Sequence, residues 1–133
     1  MAWLVVIPLA WATMAFLMGP SRGALLALSG LLLQWLLALW LAVGLSTGER
    51  IHAIGGWDAP LGIELAIDGL SATMLLLAQT IALPVAVYAR AYLKPTEPDA
   101  RYFWPLVGLM VCGLNSLFLS ADIFNLYVGL ELI

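Results

Sequence analysis

Charge is scarce in this chain. Only 10% of its 133 residues are Asp, Glu, Lys or Arg, against 64% hydrophobic residues and a mean hydropathy of +1.05. A water-soluble chain of this size needs far more polar surface, so the apolar excess must face lipid or partner subunits. The formal charge of -3 is too small to specify a partner. No basic cluster exists that could track a phosphate backbone, which excludes a nucleic-acid partner. The single cysteine, Cys112, lies in an apolar run, where it reads as a small packing residue. The single histidine, His52, lies beside Glu49 and Arg50 with no cysteine or second histidine near it, so it is a poor metal ligand. There is no glycine-rich phosphate loop, no Ser-His-Asp set, no cysteine cluster for iron-sulfur and no membrane histidine pair for haem. The sequence thus predicts no catalytic residues of its own, no cofactor and no metal.

Long apolar runs fill the rest. A bilayer core about 30 Å thick needs roughly 20 apolar residues in a helix. The first run, 2–18, is closed by Gly19-Pro20. No Lys or Arg precedes it and no convincing small-residue cleavage site follows it, so it reads as a retained membrane helix rather than a secretory signal. The second run, 23–45, carries no charge. The third, 70–93, is interrupted by Pro84 and by Arg90 near its end, and the fourth covers 103–119. A fifth run, 122–133, is too short to cross. The expected fold is therefore all-α and integral to the membrane. It is a single membrane domain of four transmembrane helices plus the start of a fifth.

Lys and Arg in short loops set the orientation. Arg22, Arg90, Lys94 and Arg101 flank the first and third connections, which fall on one side, while Arg50 is alone on the other. This predicts a multi-pass protein of the cell (inner) membrane with the N-terminus outside. The outer loop, 46–68, has turn signals at Gly55-Gly56 and Pro60. Alternation of Leu61, Ile63, Leu65 and Ile67 with smaller or polar residues predicts a short extended piece in an otherwise irregular loop. Asp68 and Ser71 are candidate caps for the third helix. The cytoplasmic loop, 94–102, contains two prolines and mixed charges and reads as an exposed connector.

Glu131 is the sharpest candidate for chemistry. Nine residues separate it from Asp122, so a continuous helix carries it about 13 Å into the span. Acids at such depth are costly and usually face a bundle interior or a water-filled path. Burial raises and a nearby cation lowers the affinity of such a group for its proton, which suits proton transfer. Phe124, Tyr127 and Glu131 share a helix face, so the Tyr127 hydroxyl can reach the carboxylate. Asp122 reads first as a helix cap and second as the lining of an ion entry. Asn115 and Ser116, with Gln79 and Thr80, either line a polar strand through the bundle or simply bond neighbouring helices. Gln34 stands alone in the second helix and its meaning is open. Pro84 frees a backbone carbonyl and bends its helix. Trp3 and Trp104 fit an interfacial belt, and Trp11, Trp35 and Trp40 fit lipid or helix contacts.

Two blocks carry a family resemblance. Ile54-Gly55-Gly56-Trp57, Pro60-Leu61-Gly62-Ile63 and Asp68-Gly69-Leu70-Ser71-Ala72 resemble the outer loop of the D-type subunit of Mrp sodium/proton antiporters. The same pattern marks the antiporter-like subunits of respiratory complex I and membrane-bound hydrogenases. The stretch from Gly113 through Asp122-Ile123-Phe124-Asn125 to Tyr127-Val128-Gly129-Leu130-Glu131 resembles that family's fourth-to-fifth helix junction. The Gly129-Leu130 pair is shared as much with the complex I subunit nearest the quinone module. The resemblance covers the N-terminal third of a family member. It implies a fourteen-helix subunit with two inverted five-helix repeats, in which the glutamate matched by Glu131 pairs with a lysine on a later helix and takes part in proton transfer. The function expected is that of a subunit, or an N-terminal portion, of a cation/proton antiporter or complex I-like ion-translocating assembly. The same resemblance leaves open a link to an NADH dehydrogenase-like or hydrogenase complex. The partners it implies are other membrane subunits of a hetero-oligomer, lipid, protons and, in an antiporter, sodium ions. The alternative is a non-transporting membrane scaffold or assembly subunit of such a complex.

Overall fold

The computed structural model describes residues 1–47, 50–54, 63–96 and 98–133. The loop-tip residues Gly55-Gly56, Trp57, Asp58, Pro60 and Leu61-Gly62, with Glu49 and Glu97, lie outside the described residues. Among the described residues five α-helices follow one another: α1 (Trp3–Met18), α2 (Pro20–Val43), α3 (Gly69–Tyr92), α4 (Pro98–Phe118) and α5 (Ile123–Leu132). Among the described residues α2 and α3 are long and apolar enough to cross a bilayer, and α1 is apolar but shorter.

The turn between α1 and α2 is a single residue. Gly19 sits at φ +79°, a conformation that side chains resist, and Pro20 opens α2 with its φ already set for a helix. Helix α2 therefore starts three residues before its charge-free run. Helix α4 likewise begins at Pro98, ahead of the apolar run at 103, so part of the connector expected at 94–102 is helical. Its first turn is polar, with Asp99 placed to meet the free amides of the helix start, and a reading by apolarity alone does not see it.

The outer connection is not all irregular, and the fold is not purely α. Strand β1 (Arg50–Ile54) pairs antiparallel with β2 (Ile63–Ile67), Arg50 opposite Ile67 and Ile54 opposite Ile63. The alternation at Ile63, Leu65 and Ile67 foretells β2, whose Leu65 and Ile67 are buried. Arg50 and His52 alternate with Ile51 and Ala53, but a run of four residues beside Glu49 is too short to mark a strand until β2 supplies its partner. The free edge of β2 is covered in turn by the α4–α5 junction: Ala66 N–H donates to the Leu119 carbonyl at 2.8 Å and Ala121 N–H to the Glu64 carbonyl at 3.1 Å. Pairing both edges satisfies backbone groups that would otherwise be stranded at the end of an apolar bundle.

The core has two apolar clusters. One, towards the sheet, gathers Leu4, Ala38, Leu65, Ile67, Leu75 and Leu119. The other, towards the basic connections, is centred on Trp11 with Ala27, Leu31, Ala86, Trp104 and Val111. The Trp11 ring is held between two glycines. A Cβ on Gly30 of α2 would stand 2.6 Å from Trp11 Cδ1, and one on Gly108 of α4 would stand 2.6 Å from Ala12 Cβ and 2.8 Å from Trp11 Cζ3. Much aliphatic and aromatic surface is left outward on the helices, including Leu36 and Trp40 of α2 and Ile81 and Val85 of α3. An exposed apolar area of this extent fits lipid or protein neighbours.

Gly108→Ala should destabilise the bundle by about 1–3 kcal/mol, since the added methyl overpacks α1 against α4. Unfolding of the detergent-solubilised chain measures this, and an unchanged midpoint would contradict the packing described. A second expectation concerns pH. Asp68 caps α3 by accepting from the Ser71 N–H at 2.7 Å, and that bond, with help from the Ser71 side chain, holds its carboxyl below the usual carboxylate range. A lowered folded-state value means the cap's contribution is present above the ordinary carboxylate range and lost as pH falls through the folded-state value. Thermal melts between about pH 6 and 3 should show a steeper acid loss for the wild type than for Asp68→Asn, which keeps a capping oxygen but does not titrate.

Candidate functional site

Proline has no N–H to offer the carbonyl four residues earlier in a helix. Pro8 therefore releases the Leu4 carbonyl within α1, at the level where α2, α3 and α4 meet. Two side chains take it up. Asn115 Nδ2 donates to it at 2.7 Å and Gln34 Nε2 at 3.4 Å. Asn115 Nδ2 also reaches Gln34 Oε1 at 3.4 Å, and Gln79 Nε2 donates to Asn115 Oδ1 at 3.0 Å. All three amides are buried, between the two apolar clusters. The Cys112 thiol, on the same face of α4 as Asn115, approaches the Val5 carbonyl at 3.3 Å. Four helices are thus joined through one displaced backbone oxygen. In a setting of low polarity a buried amide left unpaired costs roughly 1–3 kcal/mol, so the cluster specifies how the helices register.

Asn115, singled out from sequence as a weak pathway residue, belongs to this cluster, as do Gln34 and Gln79. The connection among them rests on Pro8 and Leu4, which carry no chemical signal of their own; the only trace is a proline inside an apolar run. Pro84 has the same effect in α3, where it leaves the Thr80 carbonyl without its helical donor. The Thr80 hydroxyl accepts from the Trp35 indole N–H at 3.0 Å, tying α3 to α2.

The other three candidates lie on α5 and its approach. The bridge from β2 to the 119–121 segment delivers the chain to Asp122 in extended conformation. Asp122 Oδ1 accepts from the Asn125 N–H at 2.8 Å, and its second oxygen is bonded by the Asn125 side-chain amide. That makes Asp122 the N-cap of α5, matching Asp68 at the start of α3. From there α5 runs unbroken past Glu131. Tyr127 and Glu131 are both exposed on α5, and the tyrosine hydroxyl lies close enough to the carboxylate to interact with it. The spacing is one helical turn, which stacks the two side chains. Helix α5 packs on α4 and carries no basic residue. The structure therefore brings Tyr127 to Glu131 and places Asp122 at the helix start, while the Asn115 amide is engaged elsewhere. Among the described residues no group of His, Cys, Asp or Glu is arranged to hold a metal ion.

Comparison with known proteins places this geometry. Residues 53–103 match the family model described as NADH-ubiquinone oxidoreductase (complex I), chain 5 N-terminus. The chain is 40% identical over 85 residues to the D-type subunit of a probable K(+)/H(+) antiporter from Rhizobium meliloti, covering 64% of this chain and 15% of that protein. It is 34% identical over 97 residues to the D-type subunit of a Na(+)/H(+) antiporter from Alkalihalophilus pseudofirmus, covering 72% of this chain and 20% of the relative. Among solved structures, a chain of the Mrp complex from Dietzia superposes with a TM-score of 0.87 at 27% identity, over 97% of this chain and 24% of that one. The chain thus spans a fifth or less of the length of these curated relatives. Family model, relatives and solved fold converge on the resemblance carried by the loop and junction motifs, and the chain belongs to the complex I-like antiporter family.

Proposed function

We propose that this chain forms the N-terminal bundle of an ion-translocating membrane subunit, in which α1 to α4 cross the bilayer, α5 begins a fifth crossing, and Glu131 carries or relays a proton. The observation that bears the proposal is the pairing of Tyr127 with Glu131 on α5, about 13 Å beyond a capped helix start. An acid at that depth, with one hydroxyl beside it and no cation on its own helix, suits a group that gains and loses a proton as a partner charge approaches. The family resemblance supplies that partner as a lysine on a later helix. Asp122 and Asn115 are secondary members of the proposed pathway, one at its outer mouth and one beside its wall. The relatives' names differ in the cation, potassium in one and sodium in the other, and the proposal is accordingly for cation/proton exchange within a hetero-oligomeric membrane complex.

The scaffold reading has one observation in its favour. The Gln34 amide and three of the four polar atoms of the Asn115–Gln79 pair are engaged in bonds inside the bundle, as suits helix-to-helix adhesion rather than an ion path. The two readings part on one substitution. Glu131→Ala in the complete subunit should reduce antiport in everted membrane vesicles to the level of vesicles without the complex, with assembly on native gels retained. Wild-type exchange in that variant would leave the scaffold reading standing and remove Glu131 from the pathway.

The orientation proposed puts the sheet end outside and the end bearing Arg22, Arg90, Lys94 and Arg101 in the cytoplasm. A cysteine placed at position 56, in a Cys112→Ala background, should react with an impermeant maleimide added to intact cells. Labelling only after the cells are opened would reverse the assignment.

A further inference from the structure

At the end of the bundle opposite the sheet, hydrogen-bond donors gather without acceptors. Helix α2 opens at Pro20 with no side-chain cap, and its first bonded amide is that of Gly23, which returns to the Gly19 carbonyl. The Ser21 and Arg22 amides are thus left unpaired among the described residues, with the positive end of the helix dipole behind them. Pro20 and Ser21 form one wall of a cavity of about 130 Å³, which Arg90 from α3 and Trp104 from α4 help to close. Arg90 has no ion-pair partner among the described residues. Trp104 is only 2% exposed. Its indole N–H forms no hydrogen bond among the described residues, yet it is not sealed in as Trp11 Nε1 and Gln79 Oε1 are. The surface that Trp104 keeps lines this cavity. A buried indole N–H ordinarily finds an acceptor.

We infer that this cavity binds the phosphate group of an anionic membrane lipid, held by the Arg90 guanidinium, the Trp104 indole N–H and the free amides at the start of α2. Donors converge from three helices, and one of them carries a full positive charge, so the complementary ligand is an anion rich in acceptors. A helix start of this kind suits phosphate in particular. The cavity has the volume of about four waters in the liquid, close to the few heavy atoms of one phosphate group. Its place selects a lipid as the source. It lies where apolar helices end, beside the exposed and mutually stacked rings of Tyr88 and Tyr92, as headgroup-level aromatics do. The connections at this end carry Arg22, Arg90, Lys94 and Arg101 against two acids, Glu97 and Asp99, an excess that favours anionic headgroups. Arg90, in the last turn of α3, also offsets the carbonyl end of that helix, but the Trp104 N–H and the α2 amides have no such use. The inference needs the membrane setting, not the transport role of Glu131.

The test places the complete complex in phosphatidylcholine vesicles containing a small fraction of phosphatidylglycerol with a photoactivatable headgroup, and maps the labelled peptides by mass spectrometry. Labelling is expected at the start of α2 and the first turns of α4. Its yield should fall about fivefold in Arg90→Gln, in keeping with one basic residue at a lipid surface. Trp104→Phe keeps an aromatic ring and loses the N–H, and should lower the yield about threefold. Arg101→Gln removes a charge from the same end but not from the cavity wall and should leave the yield unchanged. Retention of the complex on native gels separates these effects from misfolding. A yield indifferent to Arg90→Gln and Trp104→Phe, or one that falls equally in Arg101→Gln, would overturn the inference. So would equal labelling by a phosphatidylcholine probe, which would point to apolar packing alone. Loss of labelling in excess inorganic phosphate would assign the cavity to the free ion and overturn the lipid as its ligand.

Discussion

The arrangement of the bundle depends on one carbonyl oxygen, that of Leu4, which Pro8 withdraws from the hydrogen bonding of α1. Apolar side chains alone hold membrane helices together weakly and without strong register, because lipid satisfies them as well as a neighbouring helix does. A released carbonyl is different. It must be paired, and in this chain it is paired by amides from α2 and α4, with α3 joined through Gln79. On either side of that fixed level lie the two apolar clusters, with Trp11 lodged against the two glycines that leave space for it.

The same demand for completed backbone bonding positions α5. The hairpin pairs its own inner edge and then offers β2 to the segment between α4 and α5, so the chain enters α5 from a strand-like register rather than from a loose loop. Asp68 and Asp122, each following an extended segment, cap α3 and α5 in the same manner. The consequence for Glu131 is mechanical. Its distance along the helix is counted from a capped start that is tied to the sheet, and the sheet is tied to the core through Leu65 and Ile67. The role proposed for Glu131 draws on a depth and facing held in this way.

Membership of the antiporter family and the outward apolar surface belong together. A bundle whose helices leave Leu36, Trp40, Ile81, Val85 and Phe124 exposed is built to be surrounded, and the solved relative of the same fold comes from a multi-subunit membrane complex. The buried amides serve the inside of this bundle and the carboxylate on α5 looks outward from it. Adhesion and the proposed chemistry are thus assigned to different helices.

By itself the sequence determined the membrane setting, the apolar runs, strand β2 and the family. These depend on composition, period and local motif, which are properties of neighbouring residues: alternation at Ile63, Leu65 and Ile67, acids at helix starts, and the spacing of Tyr127 to Glu131. The tertiary structure decided what no local pattern encodes. Strand β1 alternates over four residues only and is completed by its pairing with β2. The early starts of α2 and α4 follow from Gly19-Pro20 and a polar first turn that hydropathy undervalues. Gln34, Gln79 and Asn115, isolated along the chain by 36 to 81 residues, become one network only because Pro8 leaves an oxygen where four helices meet. Hydrogen bonds that must be completed at a distance are set by the fold, and that is why the candidate carboxylate was legible in the sequence while the cluster that orders the bundle was not.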